Sequence, residues 1–243
     1  MAHGHPDYGL AAPSFYAFPI VNWEDYFLRQ GLIKTMDGKG DIIFFDSFEE
    51  GMSKWFQVRG DADSYVQLSP THSRGGNWAL EHVIGAAGVQ YCESAATIPI
   101  HEDGRYGVEE HITFYSDFYY WHVELHYYSG RRHYKFGIRF NPTNFDLQYV
   151  TLLDNWNSFA HLDDWPNEPL YYFNPVKLVI DTKTLEYVRA IVLGKPYDLS
   201  TYVPAVDILY CHKAIQPRFF YRWWGGAFLP SHLDDVIVTM NEP

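Results

Sequence analysis

The chain has 243 residues, 19% of them aromatic (20 Tyr, 17 Phe and 8 Trp), and a formal charge of −12 at pH 7. That length suffices for one full hydrophobic core, and the aromatic content excludes a disordered or low-complexity protein. The negative charge makes nucleic acid and acidic lipid poor partners, because the phosphate interaction would be repulsive. No run of about 18 apolar residues is present, so no membrane span is expected. The first residues of this chain lack the basic and apolar regions of a secretory signal peptide. Cys92 and Cys211 allow either one disulfide or two buried thiols.

Residues 1–40 read as an extended N-terminal arm. Pro6, Pro13 and Pro19 break regular structure, yet Tyr8, Phe15, Tyr16, Phe18 and Ile20 are too apolar for a solvated tail. Such a segment needs a surface to dock on, its own or that of a second copy, so self-association through the arm is expected. Asn22 caps one short helix, Trp23 to Gln30, which Gly31 stops. From 41 to 243 the chain reads as a single all-β domain, an antiparallel β-sandwich. Strands are expected at 42–48, 55–59, 64–68, 78–84, 89–98, 106–115, 119–128, 131–140, 146–152, 175–181, 186–193, 206–213, 217–224 and 233–240. The stretch 153–174 is expected to be a long irregular loop carrying Trp156 and Trp165.

The pair 119–128 and 131–140 alternates about a turn at Ser129 and Gly130, where a two-residue loop with Gly second suits a tight hairpin. If Tyr128 faces Arg131, one face stacks Trp121 on Ile138, Val123 on Phe136 and Leu125 on Tyr134. The other sets Glu124 against Lys135, His126 against His133 and Tyr120 against Arg139. This second face is where function is expected, and the hairpin alone does not decide whether it lies open or is covered.

Several phrases together resemble the concanavalin A-like lectin and glucanase superfamily and the related jelly-roll carbohydrate-binding modules. Phe44-Phe45-Asp46-Ser47-Phe48-Glu49-Glu50-Gly51 with Trp55 is similar to their opening strand, and Asn77-Trp78-Ala79-Leu80-Glu81 to a later one. Val176 to Asp181, Glu186 to Val188 and Gly194 to Leu199 resemble a hairpin of such domains, and Leu233 to Val238 their closing strand. The resemblance covers about 42–240 and implies a jelly-roll sandwich. It does not imply one activity, since lectins, hydrolases, lyases and structural domains share this architecture. It also implies a structural Ca²⁺ between the opening and closing strands, at Asp46 or Glu49 and Asp234 or Asp235.

Paired carboxylates of the glycosidase kind are not apparent, because Glu109 and Glu110 are adjacent and point to opposite faces. His122, Glu124 and His126 share one strand face but stand nearly 7 Å apart, too widely for a tight transition-metal site. The set Tyr120, His122, Glu124, His126, His133, Lys135 and Arg139, with Trp156, Trp165 and Trp224 as stacking rings, forms a candidate glycan-binding surface. The reading favoured is a non-catalytic structural or adhesive module of an extracellular or virus-like assembly that binds glycan. The alternative is a polysaccharide-cleaving enzyme, a lyase before a hydrolase, in which Arg neutralises a uronate and His or Tyr moves protons.

Overall fold

The computed structural model describes residues 35–60, 63–74, 76–85, 90–113, 119–151, 155–162, 173–209, 211–223 and 230–243. The helix expected at Trp23 to Gln30, the arm up to residue 34, Trp165 and Trp224 all lie outside the described residues. Within the described residues the chain forms strands and no helix. In order they are β1 (Asp41–Asp46), β2 (Trp55–Arg59), β3 (Tyr65–Ser69), β4 (Ala79–Val83), β5 (Gln90–Ala96) and β6 (Ile98–Pro99). There follow β7 (Arg105–Thr113), β8 (Tyr119–Tyr128), β9 (Arg132–Asn141), β10 (Asp146–Val150), β11 (Trp156–His161) and β12 (Phe173–Asp181). The last are β13 (Glu186–Val192), β14 (Lys195–Asp198), β15 (Ala205–Ile208), β16 (Ala214–Trp223) and β17 (Ser231–Met240).

These strands make an antiparallel sandwich. One sheet has eight strands in the order β14-β13-β12-β7-β17-β4-β3, with β1 beside β17. The other has nine in the order β11-β10-β9-β8-β16-β5-β2, with β15 beside β9 and β6 beside β16. Alternation sends Val108 and Ile112 of β7 and Val176, Leu178 and Ile180 of β12 inward. They meet Trp121, Val123 and Leu125 of β8 and Phe136, Ile138 and Phe140 of β9, each worth about 1.5–3 kcal/mol when fully buried. Glu109 and Glu110 do point to opposite faces. Glu110 faces the core with no hydrogen-bond partner among the described residues, and burial, aided by the Glu124 charge, raises its carboxyl well above the usual range. Both cysteines are free thiols.

Three expectations need correction. The hairpin register is two residues off: Trp121 pairs with Phe140, Val123 with Ile138, Leu125 with Phe136 and Tyr128 with His133. The loop is therefore Gly130-Arg131, closed by Ser129 N donating to Arg132 O at 2.9 Å. Gly130 alone takes positive φ, 93°, which fits a turn with Gly at its first central position, whereas the expected turn needs positive φ at both. A shift of two keeps every side chain on its own face; a shift of one would not have. Second, the supposed loop after residue 153 contains β11, which pairs with β10 and places Trp156 on a strand. Third, the strand expected at 206–213 is the short edge β15, ending at Ile208.

The outer face of the eight-stranded sheet is closed by an ionic knot. Lys177 is fully buried, 2.6 Å from Asp37 Oδ1 and 2.8 Å from Glu242 Oε1. Arg189 bridges the same two acids at 3.2 and 2.5 Å. Glu109 accepts the Met36 amide on both oxygens, at 3.0 and 2.9 Å, while burial pushes its carboxyl up to about 7. Gly107 makes the room: a Cβ there would stand 2.6 Å from Thr239 Oγ1 and 3.0 Å from Glu242 Oε1. Residues 35–40 and the C-terminus are thereby stapled to this sheet.

Candidate functional site

The outer face of the nine-stranded sheet has a different chemistry. Strand β8 presents Tyr120, His122, Glu124, His126 and Tyr128. Register sets Arg139, Gly137, Lys135 and His133 of β9 opposite the last four, and Arg222, Phe220, Arg218 and Gln216 of β16 opposite the first four. This face is in part covered. His122, Glu124 and His126 are 5%, 4% and 4% exposed, whereas Tyr120, Tyr128, His133, Lys135, Arg139, Trp156 and Arg218 are half-buried.

Two neighbours do the covering. Trp156 comes over from β11, its ring 4.6 Å from that of His122, and Phe220 of β16 lies 4.6 Å away on its other contact. Gly137 lets Trp156 settle, since a Cβ there would meet Trp156 Cη2 at 3.3 Å and Glu124 Cγ at 3.0 Å. Beneath Gly137 the β9–β10 ladder, which runs as far as Tyr149 opposite Ile138, is continued by a side chain of the other sheet. Tyr187 of β13 accepts the Gly137 amide at 2.9 Å, and its hydroxyl lies 2.9 Å from Val150 O and 3.2 Å from Gly137 O. One phenol thus fills the gap between two strands.

Glu124 is the centre of the face. Its Oε2 lies 2.7 Å from His126 Nε2, and its Oε1 lies 3.3 Å from His122 Nδ1 and 3.4 Å from Lys135 Nζ. Burial alone would raise this carboxyl, but the hydrogen bonds from His122 and His126 and the Lys135 charge outweigh it and hold the group well below the usual carboxylate range. Burial drops His122 to about 4 and His126 to about 3, so both are neutral imidazoles at pH 7. The row continues from His126 Nδ1 to His133 Nε2 at 2.8 Å, and the His133 ring stacks on Tyr128.

Cations border this row. The Arg139 guanidinium sits 4.5 Å from the Trp156 ring centre and 5.0 Å from that of Tyr120, with its Nε on Gln148 Oε1 at 2.7 Å. Burial lowers it to about 10, which leaves it charged at neutral pH. Arg218 donates to Glu93 and Gln216, both at 2.6 Å, and reaches Tyr128 Oη at 3.4 Å. Sequence reasoning missed Arg218, Gly137 and Tyr187. The first two become visible only once β16 is placed beside β8 and β11 is added beyond β10.

The four acids of the expected calcium site have other partners. Asp46 accepts from Phe48 N and Trp55 Nε1, both at 2.9 Å, with Lys54 at 3.5 Å. Glu49 accepts from the Asn77 and Trp78 amides, at 2.6 and 2.8 Å. Asp234 takes the Arg74 amide at 2.8 Å, and Asp235 takes the Arg74 guanidinium. This donor set fits N–H and cation partners, and Ca²⁺ would have to displace Lys54 and Arg74. Among the described residues no group of three or more His, Cys, Asp or Glu stands in an arrangement that could hold a metal ion.

No protein-family model and no curated protein sequence matches the chain. Solved structures do. A cellulose-induced protein, Cip1, superposes with a TM-score of 0.51 at 15% identity, over 81% of this chain and 96% of that one. An endo-β-1,4-glucuronan lyase from the fungus Trichoderma reesei gives 0.50 at 10% identity, over 82% and 96%. A Bacillus licheniformis β-glucanase gives 0.47 at 12% identity, over 82% and 98%. Similarity at this identity speaks for architecture. Together with the two stacked antiparallel sheets, it shows a jelly-roll sandwich fold of the concanavalin A-like kind.

Proposed function

We propose that the outer face of the nine-stranded sheet binds an acidic polysaccharide bearing uronate groups. The observation that carries this reading is Arg139. Only its Nε has a hydrogen-bond acceptor among the described residues, and its two terminal nitrogens keep the fork that matches a carboxylate. The guanidinium is held between two aromatic rings, which are themselves suited to stack on sugar faces. Lys135 and Arg218 stand on the same face of a chain whose net charge is −12, so the cations are gathered against the overall trend. The glucuronan lyase of similar fold offers a precedent for such a substrate, no more.

Titration calorimetry with glucuronate oligosaccharides and with neutral glucan oligosaccharides tests the reading. Binding of the acidic series, weakened by added salt and by at least tenfold in Arg139→Gln, is the expected result. Equal affinity for the neutral series would overturn it.

Cleavage by β-elimination is a second reading, favoured by the neutral His133 stacked on Tyr128 at the rim of the face. It requires a base for the carbon acid beside the carboxylate and an acid for the leaving oxygen. Growth of ultraviolet absorbance from an unsaturated uronate product during incubation with polyglucuronate would establish it, and a flat trace leaves binding alone.

A further inference from the structure

We propose that Glu124, His126 and His133 form a directional proton relay that makes His133 Nδ1 the proton acceptor of this face. The proposal deepens the acidic-glycan reading and rests on it for its ligand arm only.

What each group can donate fixes where the protons sit. An ionised carboxylate only accepts hydrogen bonds, and a neutral imidazole has one donor nitrogen and one acceptor nitrogen. Glu124 Oε2 lies 2.7 Å from His126 Nε2, so that nitrogen carries the proton and His126 Nδ1 is bare. His133 Nε2, 2.8 Å from that bare nitrogen, must then be the donor. This leaves His133 Nδ1 with a free lone pair. The same rule on the other side makes His122 Nδ1 the donor to Glu124, at 3.3 Å, and leaves His122 Nε2 bare.

Both arms therefore aim their protons at Glu124. The row cannot conduct from one end to the other, because a proton arriving at either end is passed inward to the carboxylate. The two ends differ in access. His122 Nε2 is buried with no partner among the described residues, near Trp156 and Phe220. The His133 side chain is 14% exposed, so the rim end is the one a ligand or solvent proton reaches.

The groups facing His133 set the sense of its response. His126 and Tyr128 reach it from β8, Arg218 from β16, Lys135 from its own strand and Asp207 from β15, with Glu124 behind His126. Burial and the Arg218 charge hold His133 below the ordinary imidazole value, so its lone pair is available at neutral pH. Asp207 Oδ2, 3.9 Å from Nδ1, is too far for a hydrogen bond. An anionic ligand lying against Arg218 and Lys135 offsets their repulsion. A solvent proton then adds to Nδ1, and the resulting imidazolium shares its Nε2 proton with His126. Affinity for a uronate should accordingly rise as pH falls.

Long-range ¹H–¹⁵N correlation spectra of the histidine-labelled protein read the tautomers directly. The expected result is protonation at Nε2 for His126 and His133 and at Nδ1 for His122. Glu124→Gln keeps an acceptor for His126 but removes the charge, and His126→Phe removes the link. Each should move the His133 titration down by about one pH unit, the loss of a charge-supported hydrogen bond. A proton on His133 Nδ1 in the wild-type protein at neutral pH overturns the relay, as does a titration that neither variant shifts. The wild-type spectrum decides even if both variants unfold. Calorimetry with a glucuronate oligosaccharide in buffers of different ionisation heat should show proton uptake that His133→Gln abolishes. Binding without uptake overturns the relay. Absence of binding sinks the glycan reading, and the tautomers still decide the relay.

Discussion

The two outer faces solve the same problem, a buried carboxylate, in opposite ways. On the eight-stranded sheet Asp37 and Glu242 share Lys177 and Arg189, two cations for two acids. On the nine-stranded sheet Glu124 is met mainly by two neutral imidazoles through their N–H groups, and Arg139 is uncommitted at its terminal nitrogens among the described residues. Compensation by cations fixes segments in place. Compensation by neutral donors leaves charge available for something else. The first face is therefore read as structural and the second as functional.

The sharpest way to break this contrast is to remove one cation from each face. Lys177→Met leaves Asp37 and Glu242 without their shared ammonium, and about 3–5 kcal/mol of unfolding free energy should be lost in urea titrations. Arg139→Gln should cost about 1 kcal/mol, since it gives up ring contacts and the hydrogen bond to Gln148 and, among the described residues, no buried ion pair. Equal losses would erase the distinction.

Acid is the next probe. His82 and His126 fall to about 3 and His122 and His232 to about 4, below their ordinary 6.5, with burial as the first cause in each. The unfolded chain takes up these protons first, so stability falls as pH drops from about 6.5 toward the folded values, at up to about 1.4 kcal/mol per pH unit for each ring. Glu109, raised to about 7, has the opposite sign: its contribution is full below about 4.5 and disappears as pH rises through 7. Glu109→Gln should therefore steepen the rise of stability between pH 4.5 and 7, as followed by urea midpoints across that range.

Smaller effects test how the nine-stranded face is supported. Tyr187→Phe strands the Gly137 amide and the Val150 carbonyl, and a loss of about 2 kcal/mol is expected. Gly137→Ala should change stability by less than about 1 kcal/mol while displacing Trp156, seen as a shift in indole emission and weaker glycan binding. A chelator should leave the melting temperature unchanged, because amides and cations already hold Asp46, Glu49, Asp234 and Asp235.

Much of this was legible in the residues. The alternation of Trp121, Val123 and Leu125 with His122, Glu124 and His126 identifies the inner and outer faces, because strand side chains have period two whatever the register. The register itself was not legible. Ser129, Gly130 and Arg131 admit two turns, and the choice depends on which central position Gly130 occupies. Nor could the hairpin reveal that its polar face is covered, since Trp156 and Phe220 arrive from strands remote in sequence. Strand β11 escaped because Trp156-Asn157-Ser158-Phe159-Ala160-His161 lacks a clean apolar alternation. The same remoteness hid Tyr187, whose role is set by a backbone gap in the opposite sheet.

That phenol has a consequence for anyone wishing to re-engineer the molecule. The floor under Trp156 is not made by the blade that carries it, for it is completed by a residue rooted in the far layer. Transplanting β8 to β11 onto another scaffold would bring across Arg139, Lys135, Trp156 and the histidine row, but would leave Arg218 behind on β16 and lose the keystone. Conversely, replacing a single buried tyrosine, out of a ligand's sight, offers a remote dial on how firmly the indole sits.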